Sequence, residues 1–139
     1  MSLTQHQIRL IESSFATLAD KIDQVASLFY ERLFELNPSL KPLFKGDMTL
    51  QGRKLMQTLL YAVNSLNSLN ELLPQLQALG RRHVGYGILR EDYFTVGAAL
   101  LWTLEHCLGD VFTADMKGAW ATMYQLLADS AIEGAYQTT

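Results

Sequence analysis

Three histidines, His6, His83 and His106, carry the widest chemical range in this chain of 139 residues. Neutral imidazole is a common metal ligand. His6 falls in the first turn of a helix near the terminus, a poor place for a ligand. His106 falls near the end of a helix, where an imidazole complements the negative helix terminus. His83 stands in the second half of a helix, four residues after Leu79, so these two project from one face. Taken alone, such a histidine more often satisfies its hydrogen bonds locally than binds a metal. No second His, Cys or carboxylate is spaced with it for a tetrahedral zinc site. A lone axial imidazole suits a metal that arrives with its own equatorial nitrogens, as haem iron does. The chain has no Cys-x-x-Cys-His, which excludes a covalently attached c-type haem.

Tyr30 offers a hydroxyl donor and Gln51 an amide donor. By themselves they read as a core aromatic and a solvated polar residue, and Phe44 and Leu55 as ordinary core. Gln51 and Leu55 are four apart and share one helix face. His83 belongs to a different helix and can approach from the opposite side. A flat apolar group held between two helices needs that arrangement.

The elements that must position these residues are helices throughout. Apolar residues recur at helical spacing, and no strand-like alternation appears. Thr4 and Gln7 form a capping box ahead of the stripe Ile8, Ile11, Phe15 and Leu18. A second helix is expected over 22–36, with Val25, Leu28, Phe29, Leu33 and Leu36 as its apolar stripe. Asn37-Pro38 ends it and opens a short helical corner to Phe44. A turn at 45–47 precedes a helix over 49–66. The segment 64–70, rich in Asn and Ser, reads as a connection. The next helix, over 72–86, admits Pro74 in its first turn. Asp92 is the expected N-cap of a helix over 93–108. Gly109-Asp110 breaks the chain before a last helix over 114–135. The expected fold class is all-α, with six to eight helices and one domain.

The bulk composition agrees. Apolar residues make up 49% of the chain, and the net charge is −3. With no basic surplus to neutralise phosphates, nucleic acid is not an expected partner. The apolar runs are shorter than the roughly 20 residues of a membrane span. No signal-peptide pattern opens the chain. Cys107 is the sole cysteine, so no internal disulfide forms. These features fit a cytoplasmic protein.

Several segments then converge. Phe29-Tyr30-Glu31-Arg32-Leu33-Phe34 is followed by Asn37-Pro38, by Pro42-Leu43-Phe44 and by Gln51-Gly52-Arg53-Lys54-Leu55. Gly80-Arg81-Arg82-His83, Asp92-Tyr93-Phe94-Thr95-Val96-Gly97, Trp120 and Tyr124 complete the series. The order and spacing resemble the single-domain haemoglobins of bacteria, of Vitreoscilla type, and the globin half of flavohaemoglobins, over essentially the whole chain. The resemblance implies a globin fold, helices A to H with D short or absent, around one haem b. It implies that His83 is the proximal iron ligand, that Phe44 packs on the haem face, and that Pro38 starts helix C. It implies that Tyr30 and Gln51 are the distal pair, that Leu55 lies one turn beyond, and that Tyr93 is on the proximal side. Leu79, on the His83 face, joins these haem contacts. Arg53, Lys54, Arg81 and Arg82 stand beside the two haem-facing helices, where they either meet the propionates or form a solvated face. Lys54 is counted among the cofactor contacts.

On this reading O2 is held at ferrous iron, with CO and NO as further ligands. A hydrogen bond to a partly anionic ligand is worth about 1.5–3 kcal/mol, so Tyr30 and Gln51 should favour O2 over the less polarised CO. Carriage, storage or scavenging of O2 needs no more than this. NO dioxygenase activity is the enzymatic alternative. With no GxGxxG and no reductase segment in the chain, it would need an external reductase. A gas or redox sensor would need an output partner. The chain departs from the flavohaemoglobin branch in its last helix: a glutamate that joins Tyr93 and the proximal histidine is replaced at the matching position by Ala135, and Glu133 lies about 200° away around the helix. The residues leave the oligomeric state open.

Overall fold

Each expected apolar stripe forms a helix, and the helices pack by burying those stripes. The computed structural model describes residues 3–44, 46–85 and 91–136, with all side chains of those residues except 69, 70, 73, 83–85 and 134–136. Among the described residues there are six α-helices and no strand. They are α1 (Gln5–Thr17), α2 (Ile22–Leu36), α3 (Met48–Asn64), α4 (Leu69–Gly85), α5 (Asp92–Leu108) and α6 (Ala114–Tyr136). Short 3-10 turns at Ala19–Lys21, Pro38–Leu43, Leu66–Ser68 and Gly109–Val111 link them.

The capping box is present in full. Gln7 N donates to Thr4 Oγ1 at 3.1 Å, and Thr4 N donates to Gln7 Oε1 at 2.9 Å. The α1 stripe Ile8, Ile11, Phe15 and Leu18 is buried. On α2 the buried set is Val25, Ala26, Phe29, Tyr30 and Leu33, whereas Leu36, at the helix end, is exposed. Asn37 ends α2, and its side-chain oxygen accepts from Ser39 N at 3.2 Å as Pro38 begins the corner. Gly109 closes α5 at φ +58°, a left-handed value that glycine adopts without strain.

Three boundaries differ from expectation. Asp47, read as part of a turn, is the N-cap of α3 and accepts from Thr49 N at 2.8 Å. The 64–70 connection is largely helical, so α4 begins at Leu69 and Pro74 lies inside the helix rather than in its first turn. Asp92 is not a cap but the first residue of α5, where it is buried; the flanking Glu91 makes no side-chain capping bond.

The main core joins α1, α2, α3, α5 and α6. Trp120 is fully buried at its centre. The Trp120 indole Nε1 donates to Ser14 Oγ at 2.8 Å, and the Ser14 hydroxyl turns to the carbonyls of Leu10 and Ile11. This chain of bonds satisfies polar atoms that would otherwise cost about 1–3 kcal/mol each. Each large apolar side chain buried beside them contributes about 1.5–3 kcal/mol.

Helix α4 stands outside this core. It lies along α6, and its Leu72 and Leu76 form a second, smaller cluster with Ala62 of α3. Leu127 of α6 borders both clusters. Although α3 and α4 are neighbours in sequence, α3 is packed by α2 and α1, and α4 by α6. They meet at one end, where Gln75 Nε2 donates to Tyr61 OH at 2.8 Å and Ala62 touches the Leu72–Leu76 stripe.

Candidate functional site

The upper wall of the candidate site is built by α2, the corner and α3. Tyr30 and Phe34 are four apart on α2 and stack with ring centroids 6.0 Å apart. The corner turns the chain back, so that Phe44 meets both rings edge-on, at 5.3 Å from Tyr30 and 5.5 Å from Phe34. Such pairs add about 0.5–1.5 kcal/mol beyond burial.

Gly52 then lets α3 close on α2. A methyl group at position 52 would stand 2.8 Å from Ala26 Cβ. The close crossing brings the Gln51 backbone within reach of Tyr30, whose hydroxyl donates to the Gln51 carbonyl at 3.4 Å. That distance lies beyond the usual range, so the bond is weak. Burial pushes the Tyr30 phenol up to about 12, which keeps it a neutral hydrogen-bond donor across the physiological range. Gln51, Leu55 and Phe44 are half-buried, and Leu55 and Phe44 pack against the main core.

The lower wall is built by α4, α5 and α6. His83 falls in the last turn of α4, and its side chain lies outside the described residues, as does that of Ala135. Leu79, one turn earlier, is half-buried. Gly80 presses α4 onto α6 so closely that a methyl there would collide with the Ala131 carbonyl. Tyr93 is half-buried in the first turn of α5, and its carbonyl accepts from Tyr124 OH at 2.6 Å. Tyr124 fits over Gly97, where a Cβ would stand 2.7 Å from its ring. Burial and the neighbouring Tyr93 raise the Tyr124 phenol above its ordinary value. Glu133 is exposed on α6.

Of the expected site residues, Tyr30, Phe44 and the Gln51 backbone are thus brought together, with Leu55 one turn along α3. Leu79 and Tyr93 are half-buried on α4 and α5. Lys54 is exposed and Arg81 and Arg82 are exposed on α4. Arg53 is committed elsewhere: its guanidinium meets Asp23 through Nε at 3.3 Å and Nη2 at 3.2 Å, lowering the Asp23 carboxyl below its usual range. His106 stacks on Trp102 at 5.0 Å, with Arg32 on that same ring at 5.1 Å, which gives it a structural partner besides the helix end. Cys107 is half-buried, and burial raises its thiol. Gly52, Gly80, Gly97 and Tyr124 were not singled out as site residues from the sequence. Glycines inside a helical pattern are the available signal, since they cost about 1 kcal/mol against alanine unless packing needs them.

The residues present fit a flat apolar cofactor. The core is divided into two clusters bordered in common by Leu127, and half-buried Phe44 and Leu55 pack against the larger one, while Leu79 and Tyr93 are half-buried on α4 and α5. Among the described residues no group of three or more His, Cys, Asp and Glu could hold a metal ion by itself.

Among the described residues no helix is long and apolar enough to cross a membrane. The sequence profile of the globin family matches residues 27–131. Flavohemoprotein A of Dictyostelium discoideum is 32% identical over 136 residues, covering 96% of this chain and 34% of that protein. The flavohemoprotein of Bacillus subtilis (strain 168) is 30% identical over 135 residues, 94% of this chain and 33% of its own length. That of Chromobacterium violaceum is 34% identical over 134 residues, again 94% and 33%. The chain therefore spans about a third of the length of these relatives. With its all-helical fold, divided core and matched profile, the chain belongs to the globin family of haem proteins.

Proposed function

We propose that the chain holds one haem b through His83 and takes up O2 reversibly on the side closed by Tyr30 and Gln51, with CO and NO as competing ligands. Bound haem supplies a ferrous iron with one axial position left for a diatomic gas. The observation that carries this reading is the Tyr30 hydroxyl: neutral, buried, and tied to the Gln51 carbonyl by a bond of only 3.4 Å. Such a weak tie costs little to exchange for a charge-assisted bond to a polarised ligand, worth about 1.5–3 kcal/mol. Phe44 holds the Tyr30 ring in place by edge contact. Leu55 and Leu79 keep the walls apolar, so water is excluded and the donor acts at low dielectric. Tyr124 fixes the Tyr93 carbonyl, anchoring the start of α5 to α6.

The role is uptake, storage or scavenging of O2, in the cytoplasm. The likeness to flavohaemoproteins favours one second reading, NO dioxygenase activity with a separate reductase as electron donor. Against strong oxidative chemistry stands Glu133, which is exposed on α6. Sustained NO consumption with an added reductase would decide for the enzyme.

The test is an optical spectrum of hemin-loaded protein, reduced and then exposed to O2 and CO. A Soret band that shifts reversibly with each gas is expected, and His83→Ala should abolish stable haem retention. A His83→Ala protein with a wild-type spectrum would remove His83 from the iron.

A further inference from the structure

An aromatic row on α5 stays open to solvent. Phe94, Ala98, Trp102 and His106 are each four residues apart and share one side of the helix. Phe94 is 68% exposed, the most exposed large apolar side chain among the described residues. Ala98 and His106 are exposed, and Trp102 is half-buried. Residues at this spacing form a ridge on a helix surface, here about 18 Å long. A second row, on α2, packs beside it: Leu28 and Arg32 are half-buried, and Leu36 is 41% exposed. The two rows join at Trp102. His106 stacks on its ring at 5.0 Å, and the Arg32 guanidinium lies over the ring at 5.1 Å. These contacts hold the indole in one orientation, so it loses little freedom when a partner covers it.

We infer that this row is a contact surface for a second copy of the chain, with α5 crossing α5 in the antiparallel sense about a two-fold axis. The row is complementary to itself. In a crossing centred between Ala98 and Trp102, the smallest member of the row on each copy faces the partner's Trp102, the largest. Phe94 then faces the partner's His106, ring to ring. Ridges of this four-residue kind interdigitate at about −50°, the commonest helix packing. A single patch meeting itself across a two-fold axis is the commonest form of association. Trp and Arg carry much of the energy at the centres of such contacts, and Trp102 with Arg32 stands at the centre of this one. Charge agrees. Two ion pairs border the row, Arg32–Glu35 at 3.5 Å and Lys117–Glu105 at 3.4 Å. Each is balanced within the chain, so neither sign is in excess beside Trp102 to steer a partner of opposite charge, and two copies meet there without repulsion. A stable contact takes about 800 Å² from each partner, and Leu36 widens the patch toward that area.

The test is sedimentation velocity of hemin-loaded protein over a dilution series. A reductant is present, so that no disulfide between Cys107 thiols contributes. The wild type should sediment as a dimer that dissociates on dilution. Ala98→Glu sets a carboxylate against the partner's Trp102 and should weaken association about a hundredfold. Phe94→Glu should weaken it about tenfold or more. Both positions are exposed, so the optical spectrum and the unfolding midpoint of the dilute protein should stay as in the wild type, which separates lost association from lost folding. Adding His106→Lys to Phe94→Glu should restore much of the loss, because the antiparallel register places these two positions opposite each other. A wild type that stays monomeric at every concentration would overturn the interface. So would a dimer that neither Ala98→Glu nor Phe94→Glu weakens, with spectra intact. Failure of His106→Lys to restore association would overturn the antiparallel register.

Discussion

Two glycines close two helix crossings, and they meet different neighbours. At the α2–α3 crossing Gly52 faces the Ala26 methyl group, and at the α4–α6 crossing Gly80 faces the backbone carbonyl of Ala131. A methyl group can be accommodated when two helices part by a few tenths of an ångström. A carbonyl belongs to the helix itself and cannot turn aside. The wall that carries Tyr30 and Gln51 is therefore adjustable, while the wall that carries His83 is braced against α6. That asymmetry suits the proposed function, in which a ligand is admitted on one side and a cofactor is held on the other.

The largest expected effect is at the braced wall. Gly80→Ala should cost about 3 kcal/mol, the upper end of overpacking penalties, read as a lower midpoint in denaturant unfolding. A cost near zero would mean that α4 shifts freely along α6 and that the asymmetry does not exist.

Next comes Tyr30→Phe, which should raise the O2 dissociation rate roughly ten- to a hundredfold, the size of one charge-assisted bond. Its effect on unfolding should be small, because the bond lost in the ligand-free protein is the weak one to Gln51. A large stability loss with an unchanged dissociation rate would make Tyr30 structural only.

Gly52→Ala should be milder. The contact at 2.8 Å opposes it, but alanine regains about 1 kcal/mol of helix propensity. The net loss should be about 1 kcal/mol or less, well below that of Gly80→Ala. Equal costs for the two substitutions would erase the comparison.

The smallest effect is alkaline. Burial raises the Tyr30 phenol from 10.0 to about 12, and raises Tyr124 as well. A folded-state value above the unfolded one gives stability that is complete below pH 10 and is lost as pH climbs toward 12. Phenolate absorbance should show these two tyrosines ionising last, together with unfolding. Tyr30→Phe should flatten the stability loss over that interval, and an unaltered slope would mean that Tyr30 is solvated.

Much of the fold was legible because it rests on local patterns. The stripe Ile8, Ile11, Phe15 and Leu18, the Thr4–Gln7 box and the Asn37-Pro38 corner each follow from neighbours within four residues, and each is found. The start of α4 was not legible, because the Leu66–Ser68 turn runs directly into it and overrides the coil preference of Asn and Ser. Asp92 has the chemistry of a cap but is taken into α5 and buried instead. At the candidate site, the grouping of Tyr30 with Phe44 and Gln51 was readable only through the family pattern, since any one of them alone is ordinary core or surface. The roles of Gly52 and Gly80 depend on Ala26 and Ala131, which only the folded chain brings near. Arg53 shows the same limit: its charge was plain, but its partner lies 30 residues away.

The hydrogen bond from Trp120 to Ser14 spans 106 residues of sequence. During synthesis, α1 leaves the ribosome first, with Ile8, Ile11 and Phe15 uncovered, and its main partner α6 emerges last. At about 5–20 residues per second, the first helix waits several seconds or more for the last. Whatever local order the middle helices gain in that interval, the core around Trp120 closes only when α1 and α6 meet.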